Sequence, residues 1–180
     1  GLLRVVFVVV RKRRSIMEYK AILLTGSPFL VDPLLARRAS RDWAREVISR
    51  ELQGVTELWD GGRPHGVDLW AEEFVDALPE AERPWRMQYL ENGSAFLMKP
   101  DRGRVKLYWS RSGINEDLVE RDRCMVRDFA AMHPKGVVLQ IGAAWEMAKM
   151  HHATDMAKAR GLCVKGFFCR REVQFEEIDK

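Results

Sequence analysis

Residues 19–168 alternate between short apolar runs and segments of helical period, and this rhythm limits most strongly what the chain can fold into. The runs "YKAILLTGS" (19–27), "VTELWDGG" (55–62), "PWRMQYL" (84–90), "GVVLQIG" (136–142) and "GLCVKGFF" (161–168) read as strands. Between them lie helical patterns. Residues 40–52 carry a stripe of Ala44, Val47, Ile48 and Leu52 behind a capping Ser40. The next helix is apolar at 67, 70, 71, 74, 75 and 78. Further helices are expected over about 115–132 and 145–160. Strands alternating with helices imply an α/β fold with a parallel sheet. Residues 92–112 break the rhythm: "SAFLMKPDRGRVKLYWS" predicts a β-hairpin with Val105, Leu107 and Trp109 alternating inward. The expected architecture is an open parallel five-stranded sheet, helices on both faces, and an inserted hairpin that could cover a site or form a contact in a homodimer or higher oligomer.

The 180 residues suit one domain over 17–170, with a solvated tail at 171–180. Hydrophobic content of 47% and charged content of 31% are ordinary for a globular protein. Residues 1–16, "GLLRVVFVVVRKRRSI", read as an extension outside the core, the alternatives being an edge strand or a partner-binding arm. Their apolar run precedes the basic cluster, the reverse of a secretory signal, and is far short of the ~20 residues that span a bilayer, so no membrane partner is expected. Arg4, Arg11, Lys12, Arg13 and Arg14 give this segment +5, so the chain total of +4 leaves −1 for residues 17–180. A nucleic-acid face is therefore expected only through the tail. Cys124, Cys163 and Cys169 show no metal-ligand spacing and read as reduced packing residues in a cytoplasmic setting. No metal site, Walker loop or G-x-S-x-G elbow is present in the pattern.

Three small-residue turns each follow a strand: Thr25-Gly26-Ser27, Gly61-Gly62 and Gly142-Ala143-Ala144. In a parallel sheet all three fall at the carboxyl ends of the strands, where α/β folds bind ligands. Glycine lets backbone N–H groups approach an anion, and helix N-termini favour negative charge, yet tight connections use glycine anyway. His65 sits on the second turn, with Gly66 and Asp68 just beyond it. In the 115–132 helix, Leu118, Met125, Phe129 and Met132 share a face, with Asp122 inside that arc and Arg121 at its edge. An inward carboxylate must find a partner. Asp122 therefore either braces a turn or faces the crevice, and the two roles are compatible. His152 falls on the stripe of Trp145, Ala148, Met156 and Ala159 and is expected to point inward.

"ILLTGS", "DGGRPHGVDLWAEEF", "ERDRCMV" and "HATDMAKARGLCV", in that order, resemble the SLOG superfamily, and within it the YspA/YpsA-related branch of Rossmann-like proteins. The resemblance implies a nucleotide or nucleotide derivative as ligand and no required cofactor. It implies a ligand-binding set of Thr25, Gly26, Ser27, Gly61, Gly62, Gly66, Asp68, Arg121 and Asp122, to which the turns themselves add His65, as the better-exposed candidate contact, and Gly142. Asp122 stands where the family carries asparagine. The family's small-G-T segment before the last helix is replaced by "AAWEMAKMHH", where Trp145 and Lys149 would crowd or recharge that side. Some superfamily members cleave the N-glycosidic bond of nucleoside monophosphates through a P-G-G-x-G-T-x-x-E pattern that this chain lacks; Glu146 is out of register with it. Were such a reaction catalysed here, Asp122 and Asp68 would be the candidate acids. A non-catalytic interaction module is the third reading.

Overall fold

Ala21–Gly26 (β1) is apolar on both sides, so it needs cover above and below, and it lies inside a sheet with helices on each face. In the computed structural model, described over residues 20–26, 38–110, 118–143 and 152–169, β1 pairs in parallel with Glu57–Asp60 (β2) and with Val137–Ala143 (β6). Trp85–Tyr89 (β3) extends the parallel block beyond β2, and Cys163–Cys169 (β7) extends it beyond β6. Ser94–Lys99 (β4) and Arg102–Tyr108 (β5) form the hairpin, and β4 pairs antiparallel with β3. The sheet therefore has seven strands in the order β5-β4-β3-β2-β1-β6-β7 and is mixed. The expected five-stranded sheet is corrected on this point. Its five parallel strands are present, but the hairpin continues the same sheet, because β3 would otherwise be an open edge and β4 returns beside it after a four-residue connection.

Alternation within the strands divides the core. Ile22 and Leu24 of β1, Leu58 of β2 and Leu139 and Ile141 of β6 pack under Arg38–Glu51 (α1) and Gly66–Ala77 (α2). Ala44, Val47, Ile48, Leu52, Val67, Trp70, Ala71 and Val75 are buried there, as their spacing predicts. On the other face, Leu23, Trp59, Tyr89 and Val138 meet Leu118–Met132 (α3) and His152–Ala159 (α4). Trp59 stacks on Tyr89 at 5.6 Å between centroids and meets Phe129 edge-on at 5.4 Å. Each such large side chain contributes roughly 1.5–3 kcal/mol through burial.

Several local expectations shift. Ser40 falls within α1, as its third residue. Met132 is exposed because α3 ends there, beyond the sheet-facing turn that Phe129 closes. Cys124 and Cys169 are buried, whereas Cys163 is exposed at the start of the outer strand β7. Val105 and Leu107 do not face a core: they are 49% and 39% exposed, and among the described residues neither belongs to a core cluster. His152 is exposed, and Ala153, Thr154 and Ala157 form the buried side of α4, a stripe turned about one residue from the expected one. The extension 1–16, the tail 171–180, Ser27, Ala144, Trp145, Glu146 and Lys149 lie outside the described residues. Among the described residues, no helix is long and apolar enough to cross a membrane.

Candidate functional site

β2 ends in Asp60, whose side chain is wholly buried. A buried carboxylate must be saturated with donors. Its Oδ1 accepts the Gly62 N–H at 2.7 Å and Gln88 Nε2 at 3.0 Å, and its Oδ2 accepts Arg86 Nη2 at 3.2 Å. The Gly62 bond folds residues 60–62 back on themselves as an Asx turn. Gly62 takes φ +62° there, and a Cβ would meet Leu90 Cδ2 at 2.5 Å, so both backbone angle and space demand glycine. Arg86 and Gln88 alternate on one face of β3 and point at Asp60. Arg86 Nε is buried and has no acceptor among the described residues.

Arg121 braces the same loop from below. From α3 its Nη1 donates to Gly61 O at 3.1 Å and Tyr89 O at 3.0 Å, while Nε donates to Asp122 Oδ1 at 2.8 Å. The guanidinium lies so close under Gly61 that a Cβ would fall on Nη1. One buried cation thus ties the ends of β2 and β3 to α3. Burial pushes the Asp122 carboxyl above its ordinary range, opposed by the charge and hydrogen bond of Arg121 and by the charges of Arg63 and His152.

The loop then runs through Arg63, Pro64 and His65 into α2, which begins at Gly66 with φ +71° and no side-chain cap from His65. Asp68, in the first helical turn, accepts the Arg63 N–H on Oδ2 at 3.2 Å. Burial first, and the neighbouring Asp60 charge second, raise its carboxyl to about 7; the Arg63 amide and the charges of Arg121 and Arg63 act in the opposite direction. Asp68 therefore exchanges its proton near neutrality.

Above this bracing lies a cleft of about 460 Å³ lined by residues 61–65 and by Leu90, Glu91 and Asn92 from the β3–β4 connection. That size is typical of small-molecule sites. Arg63 and His65 supply cationic or donor groups, Glu91 and Asn92 supply acceptors, and Leu90 and Pro64 supply apolar wall. Arg63 approaches Glu91 at 3.8 Å, an open pairing that a ligand anion could replace.

Of the residues expected to bind ligand, Gly61, Gly62 and His65 line the cleft. Gly66 follows directly, and Asp68, Arg121 and Asp122 lie behind the loop and hold it. Two amides of the turn, Gly62 and Arg63, are engaged by Asp60 and Asp68. Thr25 and Gly26 end β1, paired with Gln140 and Ile141, and a Cβ at Gly26 would collide with Val67. Gly26 thus has a packing role, letting α2 approach the sheet. Gly142 is corrected: it lies within β6 opposite Phe168 and not in a turn, because pairing with β7 continues through Ala143. The strand order reverses between β1 and β6, and the loops leaving both lie outside the described residues. Asp60, Arg63, Arg86, Gln88 and Asn92 were not in the expected set. The polar Arg86 and Gln88 inside an otherwise apolar strand were the readable signal. Among the described residues, no three His, Cys, Asp or Glu side chains are placed to hold a metal. Set against protein-family models, curated proteins and solved structures, the chain has no match.

Proposed function

We propose that this protein is a Rossmann-like, SLOG-type domain that binds a nucleotide or nucleotide derivative at the carboxyl ends of its strands. The observation that carries the reading is the cleft itself, walled by a glycine loop whose shape is fixed by three buried carboxylates and two buried arginines. A loop held that rigidly presents Arg63 and His65 at low conformational cost, which favours binding. The parallel strand order β3-β2-β1-β6-β7, with two of the described helices on each face, supports the fold assignment. In this reading Arg63 and His65 take the phosphate, and Leu90 and Asn92 contact the sugar or base.

The test is a thermal-shift and calorimetric panel of NAD, ADP-ribose, cyclic dinucleotides and nucleoside monophosphates. At least one member should stabilise the protein, and Arg63→Ala should weaken that ligand roughly tenfold or more. A panel without any stabilisation contradicts the reading. A second reading, hydrolysis of a nucleotide's glycosidic bond, is favoured by Asp68 alone, a carboxyl that keeps its proton near neutral pH beside the cleft loop. It requires free base released by the wild type and not by Asp68→Asn.

A further inference from the structure

The charge of the body is unevenly placed. Residues 94–108 carry Lys99, Arg102, Arg104 and Lys106 against Asp101, a net +3, so the remainder of residues 17–180 carries −4. The β4–β5 hairpin concentrates the body's positive charge on two strands at the end of the sheet, where β5 is exposed from residue 103 to 108.

Cross-strand register orders these groups. Ser94 faces Tyr108, Phe96 faces Lys106 and Met98 faces Arg104, so Phe96, Met98, Arg104, Lys106 and Tyr108 share one face of the hairpin. The Arg104 guanidinium lies 4.2 Å from the Phe96 ring centre, and Lys106 Nζ lies 5.3 Å from that of Tyr108. Tyr108 is nonetheless 67% exposed, and Arg104 and Lys106 are exposed as well. Aromatic rings flanked by cations on an open sheet face offer stacking surface for unpaired bases and charge for the phosphates between them. The ladder ends at Ser94 and Tyr108, two residues from the cleft-lining Asn92.

We propose that this face of the hairpin binds single-stranded nucleic acid, with the exposed Tyr108 stacking on a base, the Arg104 guanidinium held in place over the half-buried Phe96 ring, and Arg104 and Lys106 contacting phosphates. A flat apolar surface would serve a protein partner, but here Arg104 and Lys106 lie among the apolar groups and a second copy would present like charge. The inference does not depend on the cleft's ligand.

Fluorescence anisotropy of the full chain with labelled dT20 and U20 oligonucleotides tests it. Binding should weaken with salt, with a log–log slope of about −1.4 from these two cations and a steeper one if Lys99 or Arg102 joins them. Arg104→Glu combined with Lys106→Glu should reduce affinity tenfold or more, and Tyr108→Ala roughly fivefold or more, the stacking contribution of one base. Circular dichroism should show both exposed-site variants folded. Changing Arg11, Lys12, Arg13 and Arg14 to Gln in the full chain should leave at least the hairpin-dependent part of binding. No binding at low salt overturns the proposal, as does binding lost in the tail variant but unchanged in Arg104→Glu/Lys106→Glu. Equal loss for heparin with no effect of Tyr108→Ala would show a polyanion patch and overturn the stacking role. Saturation of the cleft with a nucleotide should not displace the oligonucleotide from wild type.

Discussion

The two ends of the β3 neighbourhood are built by opposite rules. At its carboxyl end, where β2 and β3 meet α3, charge is driven inside: Asp60, Asp68, Arg86, Arg121 and Asp122 are all buried and bond to one another or to the backbone. On the neighbouring hairpin, charge and much apolar surface stay outside: Arg104, Lys106 and Tyr108 are exposed on one face and Val105 and Leu107 on the other. A buried charge network specifies one geometry, because any displaced member leaves a desolvated partner behind. An open cationic sheet tolerates variation and protects the edge strand from pairing with another chain. The first region is suited to holding a small ligand in fixed register, the second to meeting an extended one.

The contrast predicts graded responses to substitution. Arg121→Met should be the most damaging, about 3–5 kcal/mol, since it abandons Asp122 and the carbonyls of Gly61 and Tyr89 without a donor. Urea unfolding measures it; a loss under about 1 kcal/mol would mean that water replaces the guanidinium and that the loop is not braced. Gly26→Ala should cost about 1–3 kcal/mol, because the new methyl meets Val67 in the α2–sheet contact.

The pH dependence should be smaller and has a definite sign. The Asp68 carboxyl ionises near 3.8 when unfolded and at about 7 when folded, so between those values the native state holds the extra proton. Its contribution to stability is fully present below about pH 4 and is lost as pH rises through 7. The raised Asp122 acts in the same direction. Asp68→Asn keeps an acceptor for the Arg63 amide and should flatten this decline. It should exceed wild type at pH 8 by on the order of 1 kcal/mol, with no gain at pH 4. Gly103→Ala in the hairpin, where nothing lies within 4 Å of the added carbon, should change stability by less than about 0.5 kcal/mol.

The inner sheet was legible from sequence because its strands are short apolar runs and because α1 and α2 declare their buried sides by period, whereas the stripe read for α4 was turned by about one residue. Val47 and Ile48 in α1, Leu52 just beyond its end, and Val67, Trp70, Ala71 and Val75 in α2, stand where their spacing puts them. The hairpin was legible as a hairpin but not as part of the same sheet. Alternation in "RVKLYWS" fixes which residues share a face and says nothing about whether a helix covers it, so Val105 and Leu107 were assigned to a core that does not extend so far. At the site, the glycines of 61–66 were readable from their density, and Asp122 from its place within an apolar arc. The bracing was not readable. Nothing local in "WDGG" says that Asp60 is met by Arg86 and Gln88, 26 and 28 residues later, because that contact exists only once β2 and β3 pair. Gly26 and Gly142 show the converse: small residues near strand ends satisfied packing and pairing, and resembled anion cradles only in one dimension.

Amide chemical-shift mapping tests the central claim most directly. An ¹⁵N-labelled sample is titrated with each nucleotide of the panel, and perturbations are followed residue by residue. Saturable shifts are expected to cluster at Gly61, Gly62, Arg63, His65 and Asn92, with the amides of β7 unmoved. Shifts confined to other parts of the molecule, or none at millimolar ligand, would contradict it.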